Sequence, residues 1–537
     1  MRYRHDALYA SRRSPVFARN LVATSQPLAT QAGLLTLERG GNALDAALAA
    51  AITLTVVEPT GNGIGSDAFC ILWHEGQLHG LNASGRSPAG WTPERYSRHT
   101  SFPHRGWDTV TVPGAVSAWA ELSQRFGRLP FERLFEPAIG YAEAGFLVSP
   151  VIAELWKRGA AELKSQPGFA ATFMPDGHVP AAGELFRSPG HARTLRLIAE
   201  TRGEAFYRGE LAQRIGDFAR QHGAALDESD LAEHTTDWCG TIQQDFEGVN
   251  LHEIPPNGQG IAALMTLGIL QEAGIEGLQV DSADALHLQI EAMKLAFADV
   301  YRWVGDHRHM TAVKAEHLLD DAYLASRAKL IDPRRAVDFD HGTPPGGGTV
   351  YLTAADGDGM MVSLIQSNYM GFGSGIVVPG TGISLQNRGY GFTVDANHPN
   401  VVAGGKRPFH TIIPGFLTTV VDGVRRPQMS FGVMGGNMQP QGHLQTLVRM
   451  LVHGQQPQAA CDAPRWKVGA GLAVDFEPTM DPSLVEGLKA MGHRFEATDD
   501  AYMDYGSGQF IWKLSDDLDD GYVAASDSRR DGQAVGF

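Results

Sequence analysis

Cysteine is nearly missing. Three residues, Cys70, Cys239 and Cys461, are scattered over 537 positions without a CxxC spacing, which argues against a disulfide framework, a zinc ribbon or a thioredoxin-type redox pair. Buried free thiols are the expectation. Positive charge is also short: 44 Lys and Arg stand against 60 Asp and Glu, a formal net charge of −16. Nucleic acid and anionic membrane are disfavoured as partners, since both are bound through basic patches. Long apolar runs are lacking as well. The longest, Ala43 to Val57, contains Asp45 and is shorter than the roughly 20 residues of a membrane span, so it reads as a core helix. The basic stretch MRYRHDALYASRRSPVFARN has no apolar segment of the secretory kind, and a cytoplasmic location is expected. None of the 20 histidines stands in an HExxH or paired-ligand spacing, and no phosphate-binding Lys follows a glycine-rich loop. Neither a metal nor another cofactor is expected.

What is present is a globular composition, 43% hydrophobic and 19% charged, suited to one or two domains. Gln26 to Arg39 has helical apolar spacing and stops at Gly40-Gly41, and Asn42 then caps a second helix that ends near Pro59. The turn TGNGIG (60–65) leads into the strand-like Ala68 to Trp73. Residues 115–235 are mostly helical in pattern, and Asp284 to Asp299 is amphipathic. The one sharp change of composition is HGTPPGGG (341–348), which separates a helix-rich part from a strand-rich part. Beyond it, Thr349 to Ala354 and Met360 to Gln366 read as strands joined by the turn Asp356-Gly-Asp-Gly359. That hairpin sets Thr349 beside Gln366, within one residue, with Ser367 and Asn368 next to it.

A threonine hydroxyl is a weak nucleophile until a base takes its proton, and the α-amine of an N-terminal threonine is such a base because its pKa is near neutral. The triple glycine ending at Gly348 gives the backbone freedom for the Thr349 hydroxyl to attack the Gly348 carbonyl. The ester so formed is cleaved by water, and Thr349 becomes N-terminal. A proline–glycine run before a strand also suits an ordinary loop, so a second feature is needed. Met434-Gly-Gly436 follows the strand-like Gln428 to Val433 and precedes a helical stretch, Gly442 to Val452. Consecutive glycines at such a turn present N–H groups to a developing oxyanion, although glycine also occurs there for steric reasons.

Both features fall within stretches reading ATSQPLATQAGLLTLERGGNALDAALAAAITLTVVEPTGNGIG (23–65), TVPGAVSAW (111–119), PPNGQG (255–260), HLQIEAMKLAFAD (287–299), GSGIVVPGTGISLQN (373–387), GKRPFHTIIP (405–414), MGG (434–436) and CDAPRW (461–466). In these the chain resembles the γ-glutamyltranspeptidase family of the N-terminal-nucleophile hydrolase superfamily. The resemblance implies an α/β fold, a four-layer α/β/β/α sandwich. It further implies self-cleavage into a large fragment, 1–348, and a small fragment, 349–537, which together form one domain. The mature form is then a heterodimer of the chain's own two fragments, with a dimer of such pairs as a further option. Thr349 aligns with the nucleophile, and Gly435 and Gly436 with the oxyanion donors.

Departures from the family pattern bear on the substrate. Transpeptidases usually read Thr-Thr-His where this chain has Thr349-Val350-Tyr351. The acidic residue that takes an α-amino group is missing from Leu385-Gln-Asn-Arg-Gly-Tyr-Gly391, a Ser-Ser pair is replaced by His410-Thr411, and the carboxylate-binding arginine is displaced within Ser84-Gly-Arg86-Ser-Pro88. The grip on an ammonium is lost, while Arg86 and Arg388 remain as cations for a bidentate carboxylate contact. Tyr351, Ser367, Asn368, His410 and Thr411 are the neighbouring candidates for substrate binding. Arg86 fits a surface arginine as well, and His410 a packed core histidine. In these departures the chain resembles the oxamate amidohydrolase branch, which implies hydrolysis of oxamate, a small-molecule amide, to oxalate and ammonia in purine degradation. The short link from Phe392 to Lys406 leaves little room for a lid loop. Two other readings stand beside this one: a γ-glutamyl hydrolase or transferase, or an acylase for bulkier amides; and an inert scaffold, against which Thr349 and the paired glycines argue.

Overall fold

The helix Ala43–Val57 shows why an aspartate sits in the longest apolar run. Asn42 accepts the Asp45 N–H, Asp45 accepts the Asn42 N–H in return, and the same carboxylate takes the N–H groups of Arg128 and Leu129. This reciprocal cap satisfies donors that a helix start leaves open, so all of Ala43–Val57 can be buried. The computed structural model describes residues 12–97, 99–339, 349–495 and 505–537; the run 341–348, with Gly348, lies outside them.

Two seven-stranded sheets lie face to face. The first runs in the order Val16–Ala18, Tyr522–Ser526, Ser507–Lys513, Val424–Met434, Gly415–Val421, Val249–Glu253 and Ile242–Phe246. The second runs Gln533–Gly536, Leu21–Thr24, Val350–Ala355, Met361–Ser367, Asp67–His74, Gln77–Asn82 and Asp237–Trp238. Both sheets combine strands from before and after residue 349, so the two expected fragments are hydrogen-bonded into the same sheets.

Strand alternation sorts the side chains into layers. Tyr351, Ala355, Met361, Ile365, Phe69 and Ile71 meet Phe416, Met434 and Ile511 between the sheets. Their neighbours Val350, Leu352, Val362, Leu364 and Cys70 face the helices around Ala43–Val57, while Leu417, Phe431 and Phe510 face those around Gly260–Ala273 and Ala283–Trp303. The result is the α/β/β/α sandwich. Among the described residues no helix is long and apolar enough to cross a membrane. Two expectations need correction. Cys239 is exposed while Cys70 and Cys461 are buried, because it follows the edge strand Asp237–Trp238. The helix expected from Gly442 starts earlier, as Met438–Leu447, with one π-helical turn after it at Val448–Val452; the Gly435 and Gly436 carbonyls cap it by accepting the N–H groups of Met438 and Gln439.

Candidate active site

The hairpin pairs Val350 with Gln366, which places Thr349 opposite Ser367, one residue from the expected register. The Thr349 hydroxyl lies 3.0 Å from that of Ser367, and Ser367 Oγ accepts the Tyr369 N–H at 2.8 Å. Either hydroxyl can donate in the Thr349–Ser367 contact, and when Ser367 donates, the Thr349 proton is left for its own amine. The turn TGNGIG cradles this segment. A Cβ at Gly61 would stand 3.2 Å from the Thr349 carbonyl oxygen, and one at Gly63 would stand 2.2 Å from Ser384 Oγ. The carbonyls of Thr60 and Gly61 accept the N–H groups of Phe372 and Asn368. The glycines of this turn thus serve close backbone approach.

Two candidate contacts point elsewhere. Asn368 accepts the Ser66 hydroxyl at 2.8 Å and donates to Ser384 Oγ at 3.2 Å, because the residue after Ser367 turns towards the opposite side of the chain. Tyr351 is fully buried between the sheets, its hydroxyl 2.7 Å from Ser363 Oγ and its ring over Gly432, so its phenol is already bonded within the core.

The two arginines differ in their surroundings. Arg86 lies 3.8 Å from Asp237 and 3.6 Å from Asp306. Arg407 also pairs with Asp237, and Arg308 with Asp306, so Arg86 shares two carboxylates with two other arginines at ion-pair distance, and its buried Nη1 has no hydrogen-bond partner among the described residues. Arg388 is buried. Its Nη1 donates to Thr411 Oγ1 at 2.7 Å, its guanidinium stands 4.7 Å from the centre of the Tyr369 ring, and Nε and Nη2 have no hydrogen-bond partner among the described residues.

Asp67, which the sequence did not single out, is the strand neighbour of Ser367. It accepts the N–H groups of Gly85 and Gly114, and His410 Nε2 lies 3.1 Å from its other oxygen. Burial pushes the Asp67 carboxyl up to about 7, with the nearby Arg388 opposing the shift. Burial also lowers Arg388 to about 10, opposed by Asp67 and Tyr369. His410 is held well below the usual histidine range by burial and then by Arg388 and Arg407. Its Nδ1 accepts the Ile412 N–H, so the proton sits on Nε2 and points at Asp67. Both ring nitrogens are engaged and the ring lies against Phe69: His410 orients Asp67.

At the end of the strand Val424–Met434, Gly435 and Gly436 have φ values of +127° and +60°, a region that favours glycine. A Cβ at Gly435 would stand 2.9 Å from the Gly506 Cα. Their N–H groups enter no turn or cap hydrogen bond among the described residues. Gln259, from the motif PPNGQG, donates to the carbonyls of Gly436 at 2.9 Å and Thr411 at 2.6 Å, and so joins this turn to the Arg388 group. A cavity of about 430 Å³ adjoins the group, lined in part by Tyr301, Tyr369, Tyr390, Phe392 and Phe409. Tyr369 is common to the cavity and to Arg388, and the Tyr301 hydroxyl accepts from Asn437 Nδ2 beside the glycine turn. The link after Phe392 forms one wall.

No ligand spacing in the sequence points to a metal trio, yet His287, Glu291 and His493 converge within 4.8 Å. Their other atoms are engaged, while His493 Nδ1 has no hydrogen-bond partner among the described residues. His287 bonds His493 and the Asp332 carbonyl, and Glu291 takes the Lys294 ammonium and the Val337 N–H.

The γ-glutamyltranspeptidase family model matches residues 29–537. The chain is 34% identical to the glutathione hydrolase-like YwrD proenzyme of Bacillus subtilis, over 98% of this chain and 100% of the relative. It is also 34% identical to the oxamate amidohydrolase proenzyme of Klebsiella pneumoniae, over 98% of this chain and 99% of the relative. Among solved structures, the cephalosporin acylase from Bacillus halodurans superposes with a TM-score of 0.94 at 48% identity, covering 100% of this chain and 99% of the other. A hairpin that begins with a buried threonine, a glycine turn whose N–H groups enter no turn or cap hydrogen bond among the described residues, and a match over nearly the whole chain lead to one conclusion: the protein belongs to the γ-glutamyltranspeptidase family, within the N-terminal-nucleophile hydrolases.

Proposed function

We propose that the protein is a self-processed amidohydrolase that cleaves a small amide bearing a carboxylate next to the scissile carbonyl, with oxamate as its substrate. Cleavage after Gly348 frees the Thr349 amine. That amine takes the hydroxyl proton, Thr349 Oγ1 attacks the amide carbonyl, and the N–H groups of Gly435 and Gly436 receive the negative charge that develops on oxygen. The proton passes to the leaving nitrogen, ammonia departs, and water hydrolyses the Thr349 ester to release oxalate and restore the hydroxyl. The observation that carries the choice of substrate is Arg388, a buried cation with Nε and Nη2 unpartnered among the described residues, set against the ring of Tyr369, whose N–H bonds Ser367. A bidentate carboxylate suits such a group. Arg86, with Asp237 and Asp306 beside it, is not proposed for this role.

The test is release of ammonia from oxamate, set against oxamide, which lacks the carboxylate, and against γ-glutamyl 4-nitroanilide. Preference for oxamate over both supports the reading; turnover of the γ-glutamyl amide alone ends it. The cavity supports a second reading, in which the amide carries a bulky group: about 430 Å³ exceeds what oxamate fills and falls within the usual range of ligand pockets. Faster turnover of amides with an aromatic substituent than of oxamate would favour that acylase reading.

A further inference from the structure

The motif PPNGQG finds its place in the molecule through Gln259. Its loop is laced to the segment that carries His410 and Thr411: His410 N–H donates to the Asn257 carbonyl at 3.0 Å, Gln259 N–H donates to the His410 carbonyl at 2.9 Å, and Asn257 Nδ2 donates to the Pro408 carbonyl at 2.7 Å. The Gln259 side chain, fully buried, crosses from this segment to the glycine turn. Both of its contacts are carbonyl oxygens, so the atom that meets them must be the amide nitrogen, and the assignment of the amide follows from chemistry.

Each contact governs a different part of the site. On one side, Gln259 holds the Thr411 carbonyl, and the Thr411 hydroxyl holds Arg388. On the other, it holds the Gly436 carbonyl together with the Gln439 N–H. The preceding carbonyl, that of Gly435, is fixed by the Met438 N–H at 3.0 Å. In a trans peptide the N–H points opposite to the C=O, so this bond aims the Gly436 N–H away from the helix Met438–Leu447. Gly436, in the left-handed region, lies between two peptide planes, and Gln259 anchors the second of them.

We infer that Gln259 is a positioning residue that couples the cation at Arg388 to the oxyanion turn at Gly435-Gly436, so that a carboxylate on Arg388 improves the alignment of the turn. The inference rests on the proposed function for the identity of the anion, while the link between Thr411 and Gly436 stands on the hydrogen bonds. The coupling makes Gln259 a specificity residue: without it, the turn no longer registers whether Arg388 is occupied.

The test compares oxamate with oxamide in the mature wild type and in Gln259→Ala, Gln259→Asn and Gln259→Glu, with active sites titrated and Tm measured. For Gln259→Ala the ratio of kcat/KM on oxamate to that on oxamide should fall about tenfold, with the loss mainly in kcat. Asn, which keeps the NH2 donor, should recover part of the ratio. Glu, which cannot donate to either carbonyl when ionised, should not. A merely structural role would remove active enzyme and slow both substrates equally, so an unchanged ratio in Gln259→Ala overturns the coupling. If the wild type hydrolyses γ-glutamyl 4-nitroanilide and not oxamate, the substrate reading fails by itself. Gln259 is then judged on that amide: a tenfold lower kcat per titrated site at unchanged KM upholds its grip on the turn, and an unchanged kcat refutes it.

Discussion

Arg86 and Arg388 have the same side chain and both lie in segments that depart from the family pattern, yet the fold gives them opposite surroundings. Arg86 is part of a lattice with Asp237, Asp306, Arg407 and Arg308. Arg388 stands in a buried place where a hydroxyl, an aromatic ring and the more distant Asp67 are its company, and its Nε and Nη2 are unengaged among the described residues. A cation that already lies beside protein carboxylates gains less from a substrate carboxylate than a buried one whose only hydrogen-bond partner among the described residues is a hydroxyl. The number of arginines therefore says less about specificity than the number of carboxylates within reach of each.

The sharpest way to break this comparison is to truncate both side chains. Arg388→Ala should lose about 1.5–3 kcal/mol of binding to a charged group, which is roughly ten- to a hundredfold in kcat/KM on oxamate. On oxamide the loss should be far smaller, and steady-state ammonia release reads both. Equal losses on the two amides would mean that Arg388 supports the fold and not the anion.

A smaller effect follows from Asp67. Burial holds its carboxyl at about 7, so it gains a proton as the pH falls below that value, and Arg388 is then freer to attract an anion. The sign is set: KM for oxamate should fall as the pH drops through about 7, by a few-fold in line with a Coulombic effect between neighbouring groups, and KM for oxamide should not follow it. Asp67→Asn should flatten the dependence. A profile that is the same in the variant would assign the titration to another group, such as the Thr349 amine.

The smallest change belongs to Arg86→Ala, which should leave kcat/KM on oxamate within about threefold, the scale expected for a partly exposed ion pair, and should leave self-cleavage intact. A tenfold loss would return Arg86 to the site and undo the contrast.

How much of this was legible in the sequence depends on the range of the interaction. The hairpin that sets Thr349 against Ser367 follows from alternation and a four-residue turn, and the strand-to-helix glycines follow from local pattern; both lie within short stretches. The sandwich itself followed from the resemblance, since periodicity predicts elements and not their layering. The environment of Arg86 was not legible, because Asp237 and Asp306 reach it through the fold from remote segments. Nor was Asp67, whose importance comes from the sheet order that puts it beside Ser367. Asn368 is a candidate through the hairpin register and Tyr351 through its place in the departure Thr349-Val350-Tyr351, but local backbone direction sends one to Ser66 and the other into the core. Gln259 lay in a quoted motif without a role, and its two carbonyl partners come from segments more than 150 residues away.

All of this presumes that Thr349 becomes an N-terminus. Intact-mass analysis of the purified wild type beside Thr349→Ala tests that most directly. The wild type should give two fragments that correspond to 1–348 and 349–537 and should release ammonia, while Thr349→Ala should stay as one chain of 57.9 kDa without activity. A wild type that remains a single chain while fully active, or a Thr349→Ala protein that still cleaves itself and turns over substrate, would contradict the account.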